Sequence, residues 1–146
     1  RIPRETLLAD LDLKMRLAAA RGLRINVVTQ FSFRPTKIAE FCTLLAKRAP
    51  GISVYAGMAG PTSAARLLRY AKICGVSTSL RAMNSLGMNA VRLALNASPD
   101  RQFTLLAEHA ACGAAPNLAG VHLFSFGGFV ESAEWMSRLA DSCGLR

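Results

Sequence analysis

An α/β fold built on a parallel sheet is the class that this 146-residue chain predicts, from three observations. Segments with helical apolar spacing alternate three times with short apolar runs, the order that joins parallel strands through helical crossovers. Those short runs are closed by Gly or Pro, and the middle one is apolar almost throughout, as suits a strand buried on both faces. Hydrophobic residues make up 51% of the chain, enough for one ordinary domain with a core, yet charge or Gly breaks every stretch before the ~20 apolar residues of a membrane span.

Taken in order, Leu8, Leu11, Met15 and Ala18 recur at helical spacing behind the polar start Arg4-Glu5-Thr6, which predicts a helix over 5–21 closed near Gly22. A strand is expected over 25–33, ended by Pro35. Thr36 is placed as the N-cap of a second helix, whose stripe Ile38, Phe41, Leu44 and Leu45 stops before Pro50-Gly51. Residues 52–56, between Gly51 and Gly57, are too few for a helix and read as a buried strand. After Gly57-Met58-Ala59-Gly60-Pro61-Thr62-Ser63 comes a third helix, with Ala64, Leu67, Leu68 and Ala71 on one side and Arg66, Arg69 and Lys72 on the other, ending near Gly75. Helical runs over 79–96 and 99–112 form an excursion with no strand between them, and Pro116-Asn117 marks a loop. The last strand covers 120–126, and Gly127-Gly128 turns the chain into a closing helix over 130–143. Three parallel strands are few for a sheet that needs cover on both faces, so the chain is expected to be part of a larger domain.

The formal net charge is +9, yet Lys14, Arg16, Arg21, Arg24, Lys47 and Arg48 are dispersed along helical segments without interleaved aromatic residues. Solvated helix faces explain that pattern better than a nucleic-acid surface, and no nucleic-acid partner is expected. Cys42, Cys74, Cys112 and Cys143 form no CxxC pair and read as buried, reduced thiols. With no signal-peptide pattern in the first residues, this points to the cytoplasm. Neither a membrane span nor a metal set is expected, and His122, inside the last strand, reads as a packed neutral imidazole.

Ligands of α/β sheets gather beyond the carboxyl ends of the strands. Three such ends are visible: Thr29, Gln30 and Phe33; Gly57, Met58 and Gly60; Ser125, Phe126 and Gly127. Gln30 leads among polar candidates. Set in Val27-Val28-Thr29-Gln30-Phe31-Ser32-Phe33, its amide is expected to be buried, and it can donate and accept together, as the edge of a heterocycle demands. Bonding to neighbouring backbone is the structural alternative. The two glycines before Pro61 carry a weak anion-site reading beside that of a tight strand-to-helix turn. Glu131 and Glu134 read as a solvated helix face.

Taken together, VTQFSF, VYAGMAGPTSAARLLRYAKICGV and GVHLFSFGGFVESAEWM resemble the later part of methylenetetrahydrofolate reductase in its short, single-domain bacterial form, over nearly all 146 residues. That family is a TIM-type (β/α)8 barrel holding FAD at the carboxyl ends of its strands. The resemblance implies that residues 1–146 are a partial βα barrel domain, similar to strands six to eight with their helices. The earlier strands, which bear the family's glutamate acid and flavin-proximal aspartate, are absent. The implied reaction, part of one-carbon metabolism, is FAD-mediated hydride transfer from NAD(P)H to 5,10-methylenetetrahydrofolate, giving 5-methyltetrahydrofolate. Alone, the chain is expected to be catalytically silent.

Carried over by position, Gln30 matches the family's folate-contacting glutamine, and Tyr70 stands where an aromatic covers the substrate, with Ala71 as the alternative register. Asp12 and Arg16 fall where family members meet the FAD ribose and phosphates, Arg16 at the pyrophosphate and Asp10 as an alternative. Where the family has an arginine that meets the folate glutamate tail, just after the last strand, this chain has Gly127-Gly128. The remainder of the barrel, or a second chain, is an expected partner, and homo-oligomerisation is left open. Two other readings stand beside this one. The first is a non-enzymatic interaction module whose apolar strand edges a partner covers, the second an accessory reductase or methyl-transfer protein acting on a different one-carbon carrier.

Overall fold

A computed structural model describes residues 2–73 and 99–144. The helix expected over 79–96, the end of the third helix near Gly75 and Cys74 lie outside the described residues, as do the side chains of Ala64, Leu67, Leu68, Ala71 and Lys72. The described elements are α1 (Arg4–Ala20), β1 (Asn26–Val28), α2 (Pro35–Arg48), β2 (Ser53–Ala59), α3 (Ala64–Ile73), α4 (Pro99–Ala111), β3 (Leu118–Phe124) and α5 (Phe129–Ser142). The architecture is α/β: one sheet of order β1-β2-β3 with both pairs parallel.

Local chemistry sets the helix ends. Gly22 adopts φ +65°, and the amides of Gly22 and Leu23 donate to Ala19 O at 3.1 Å and Ala18 O at 2.9 Å. This paired closure of orphan carbonyls needs a left-handed residue, which glycine supplies without a Cβ clash. At the start of α2 the expectation needs correcting: Arg34 is the N-cap and Pro35 the first helical residue, so Thr36 lies inside the helix. Proline suits that position because its fixed φ is helical and it has no amide to leave unpaired. The strands also differ from their predicted limits. β1 stops at Val28, well short of Phe33, whereas β2 runs on through Gly57 to Ala59 and β3 begins two residues early.

The register explains how the sheet is covered. Val27 pairs with Val54, Val28 with Tyr55, Ala56 with Val121 and Met58 with Leu123. One extra residue in β3, Ala119, bulges between the pairs Val54–Leu118 and Tyr55–Gly120. Val54, Ala56 and Met58 therefore share one face with Leu118, Val121 and Leu123. They close a core with Ile38, Cys42 and Leu45 of α2 and Leu106 of α4. The opposite face carries Asn26, Val28, Tyr55 and His122; Asn26, Val28 and His122 are exposed and Tyr55 is half-buried. Full cover of both faces is thus not what the described residues show.

Two further expectations change with this. His122 is exposed on the open face, its ring set edge-on to Phe124 with centroids 4.8 Å apart, and is not packed in a core. Cys42 is a buried thiol whose pKa burial pushes up, but Cys112 and Cys143 are exposed just beyond the ends of α4 and α5. No helix among the described residues is long and apolar enough to cross a membrane.

Candidate functional site at the carboxyl end of the sheet

Past Val28 the ladder between β1 and β2 makes one regular bond, Thr29 N–H to Tyr55 O at 3.0 Å, and then slips by a residue. Gly57 O receives the amide of Ser32 at 3.2 Å, where even parallel pairing would present Phe31. Side chains absorb the slip. Phe31 N–H donates to Gln30 Oε1 at 3.1 Å, Gly57 N–H donates to Thr29 Oγ1 at 2.8 Å, and the Thr29 hydroxyl donates to Gln30 O at 3.0 Å. Gly57 permits the close approach: a Cβ there would lie 2.3 Å from Thr29 O and 2.8 Å from Gln30 O.

This bulge corrects the reading of Gln30. The residue is exposed, because β1 has no described neighbour on its outer edge and the chain swells away from β2 at this point. One end of its amide is committed to backbone, while Nε2 has no partner among the described residues. Beside it is a cavity of about 310 Å³ lined by residues that include Thr29, Gln30, Ser32, Lys37 and Phe41.

At the end of β3, Gly128 N–H donates to Ser125 O at 2.8 Å, closing a turn whose central residues both have positive φ, Phe126 at +45° and Gly127 at +79°. That combination belongs to type I′ turns and is strained for a bulky side chain. The strain delivers the Phe126 ring inward, where it is buried. Its centroid lies 4.9 Å from Phe31, 5.6 Å from Tyr70 and 6.0 Å from Phe124. Phe31 in turn meets Phe33 and Phe124, each at 5.9 Å. Five aromatic rings and Ala59 thus gather where the strands end. The signal was present in the sequence as Phe-Ser-Phe repeated at 31–33 and 124–126, one copy at the exit of each outer strand.

The exit of β2 is a strand-to-helix turn, and the anion-site reading of its glycines gives way. Gly57 N–H is held by Thr29, Gly60 N–H donates to Phe124 O at 3.0 Å, and Ser63 Oγ caps α3 by accepting Arg66 N–H at 3.3 Å. These amides are already engaged.

Of the four expected site residues, Tyr70 leans on Phe126 and joins the aromatic cluster, whereas Gln30 precedes Phe31 at the exit of β1 and lines the cavity shared with Lys37 and Phe41. Asp12 and Arg16 lie on α1. Arg48 donates to both carboxylate oxygens of Asp12, from Nε at 3.4 Å and from Nη2. Arg48 closes α2 shortly before β2 opens, which puts this pair toward the amino-terminal side of the sheet. The hydrogen bond and charge of Arg48 hold the Asp12 carboxyl below its ordinary pKa, with exposed Arg16 adding to the field. This leaves the Asp12 carboxylate engaged by Arg48, with Arg16 exposed one turn along the same helix.

Chemically, a face of aromatic rings suits the flat surface of a planar heterocycle, and an amide at the neighbouring strand exit can serve a polar edge. Compared with models of known protein families, the chain matches none.

Proposed function

We propose that this chain is the carboxy-terminal part of a (β/α)8 barrel oxidoreductase of the methylenetetrahydrofolate reductase type, working in the cytoplasm on a reduced folate with NAD(P)H. One observation carries the reading: Tyr70 joins an aromatic cluster at the carboxyl ends of three parallel strands, where Gln30 also stands at the exit of β1, the place where βα barrels hold their ligands. The second sheet face, which no helix covers among the described residues, adds support, since a parallel sheet covered by helices on one side only is what a barrel wall presents when its interior is exposed. In this reading the rest of the barrel, from this or a second chain, covers Val28, Tyr55 and His122.

FAD enters as the family's hydride carrier, with Asp12 and Arg16 the residues that the resemblance assigns to its ribose and phosphates. The contribution assigned to this chain is binding and orientation. Gln30 Nε2 donates to the pterin edge, and the rings around Phe126 exclude water from one side of the bound heterocycle.

The test is Gln30→Ala in the full protein, with NAD(P)H oxidation followed against an artificial electron acceptor and then against methylenetetrahydrofolate. Loss of about tenfold or more with the folate, with little change for the artificial acceptor, is expected. Equal losses would make Gln30 only the filler of the Phe31 bulge, and absence of folate-dependent turnover in the unmutated protein would end the reductase reading.

A further inference from the structure

Phe126 holds a backbone angle that its own chemistry disfavours. At φ +45° it lies in the left-handed region, where a Cβ crowds the following carbonyl and a bulky residue is an outlier. Residues kept at such angles gather at switches and ligand clamps, and persist only where surrounding contacts outweigh the strain. Here those contacts are rings. Phe126 is 8% exposed, edge-on to Phe31 with centroids 4.9 Å apart, tilted on Tyr70 at 5.6 Å and stacked on Phe124 at 6.0 Å with 22° between the planes. Gly127, the next residue, also has positive φ, at +79°. A hydrogen bond from Gly128 N–H to Ser125 O, at 2.8 Å, closes the turn. Phe126 thus stands between a strand end and two glycines, at the carboxyl end of the sheet, with ring packing set against backbone strain.

We infer that Phe126 is a resident ring, an inference that rests on the heterocycle reading proposed above: in the free protein it fills the slot between Phe31, Phe124 and Tyr70, and a planar ligand ring takes that slot over as Phe126 is expelled and the turn 125–128 relaxes. A phenyl ring and a ligand ring are alternatives there, because both meet the same aromatic faces and edges. Exchanging one for the other conserves the ring packing. It also releases Phe126 from φ +45°, so the strain held in the free state favours the bound one. The adjoining glycines give the backbone the freedom that the movement needs. The affinity for a planar ligand is then lowered by the fraction of molecules in which Phe126 occupies the slot, and a change that destabilises the closed turn without touching the ligand tightens binding.

Gly127→Ala isolates the turn. A Cβ at Gly127 would meet nothing closer than the Tyr70 hydroxyl, at 3.5 Å, which is ordinary contact, so the substitution acts through the cost of φ +79° for a residue with a side chain. Equilibrium binding of 6-methylpterin to the full protein should be about five- to tenfold tighter in Gly127→Ala than in the parent, and within about twofold of the parent in Gly127→Asn, since asparagine tolerates the left-handed angle. Phe126→Ala, which removes the resident ring, should tighten the probe as well; if that variant does not fold, the two Gly127 variants decide. Unchanged or weaker binding in Gly127→Ala, or weaker binding in folded Phe126→Ala, would make Phe126 a fixed wall of the site and overturn the resident-ring assignment while the heterocycle reading stands. If 6-methylpterin binds neither the parent nor any variant, both fall together.

Discussion

Thr29 and Gly57 define each other at the exit of β1. The Thr29 hydroxyl takes over an acceptor role that an even ladder would give to a backbone carbonyl, and Gly57 must lack a side chain for the two segments to meet. Thr29→Val keeps the shape and deletes the hydroxyl, leaving Gly57 N–H, which is buried, without its partner. A loss of about 1–3 kcal/mol in chemical denaturation is expected, with Thr29→Ser close to the parent; equal stability of the valine variant would show that the bulge does not depend on this bond. Gln30 belongs to the same local system. Its place after a β-branched run was legible, but its exposure was not, because a bulge arises from pairing with a segment 27 residues away. Phe126 teaches the same point: nothing in the composition of Phe-Ser-Phe-Gly-Gly announces a phenylalanine at φ +45°, since the strain is tolerated only where neighbouring rings bury the side chain.

Among the elements, α1 is the one least determined by its own pattern. Leu8, Leu11 and Met15 are half-buried, but Leu7, Leu13 and Leu17 are exposed, so the helix lacks a single apolar stripe. Its electrostatic tie to α2 is the Asp12–Arg48 pair. Because the folded pKa of Asp12 lies below its ordinary 3.8, the pair's contribution is fully present above that value and is lost as pH falls through the lower, folded value. Asp12→Asn should therefore be slightly less stable than the parent at neutral pH and indistinguishable from it in strong acid. Hydrogen exchange should show the added opening in the α1 amides. A stability gap that persists unchanged into acid would mean that Asp12 acts through packing. Pairings of this kind are invisible in sequence: Asp12 and Arg48 are 36 residues apart, and only the docking of two helices selects Arg48 over the other cations nearby.

At the scale of the molecule, the chief fact is that the described residues cover the sheet on one face only. Val28, half exposed at 50%, is the sharpest probe of what covers the bare face. In the full protein Val28→Lys should cost more than about 2 kcal/mol if that face becomes a barrel interior, because a charge is then buried without a partner. A near-neutral result, with unchanged Tm, would leave the face in water and remove the barrel from the proposal. Sequence by itself determined the α/β class, the presence of three parallel strands, and a helix limit such as the stop at Gly22. These follow from side-chain periodicity and from backbone angles that one or two residues impose on themselves. Only the tertiary structure decided which sheet face the described residues cover, that Gln30 sits on a bulge in solvent, that Asp12 answers to Arg48, and that Phe31, Tyr70 and Phe126 gather in one cluster. Each of those depends on which residues meet across long stretches of chain, and neither periodicity nor local conformation encodes that meeting.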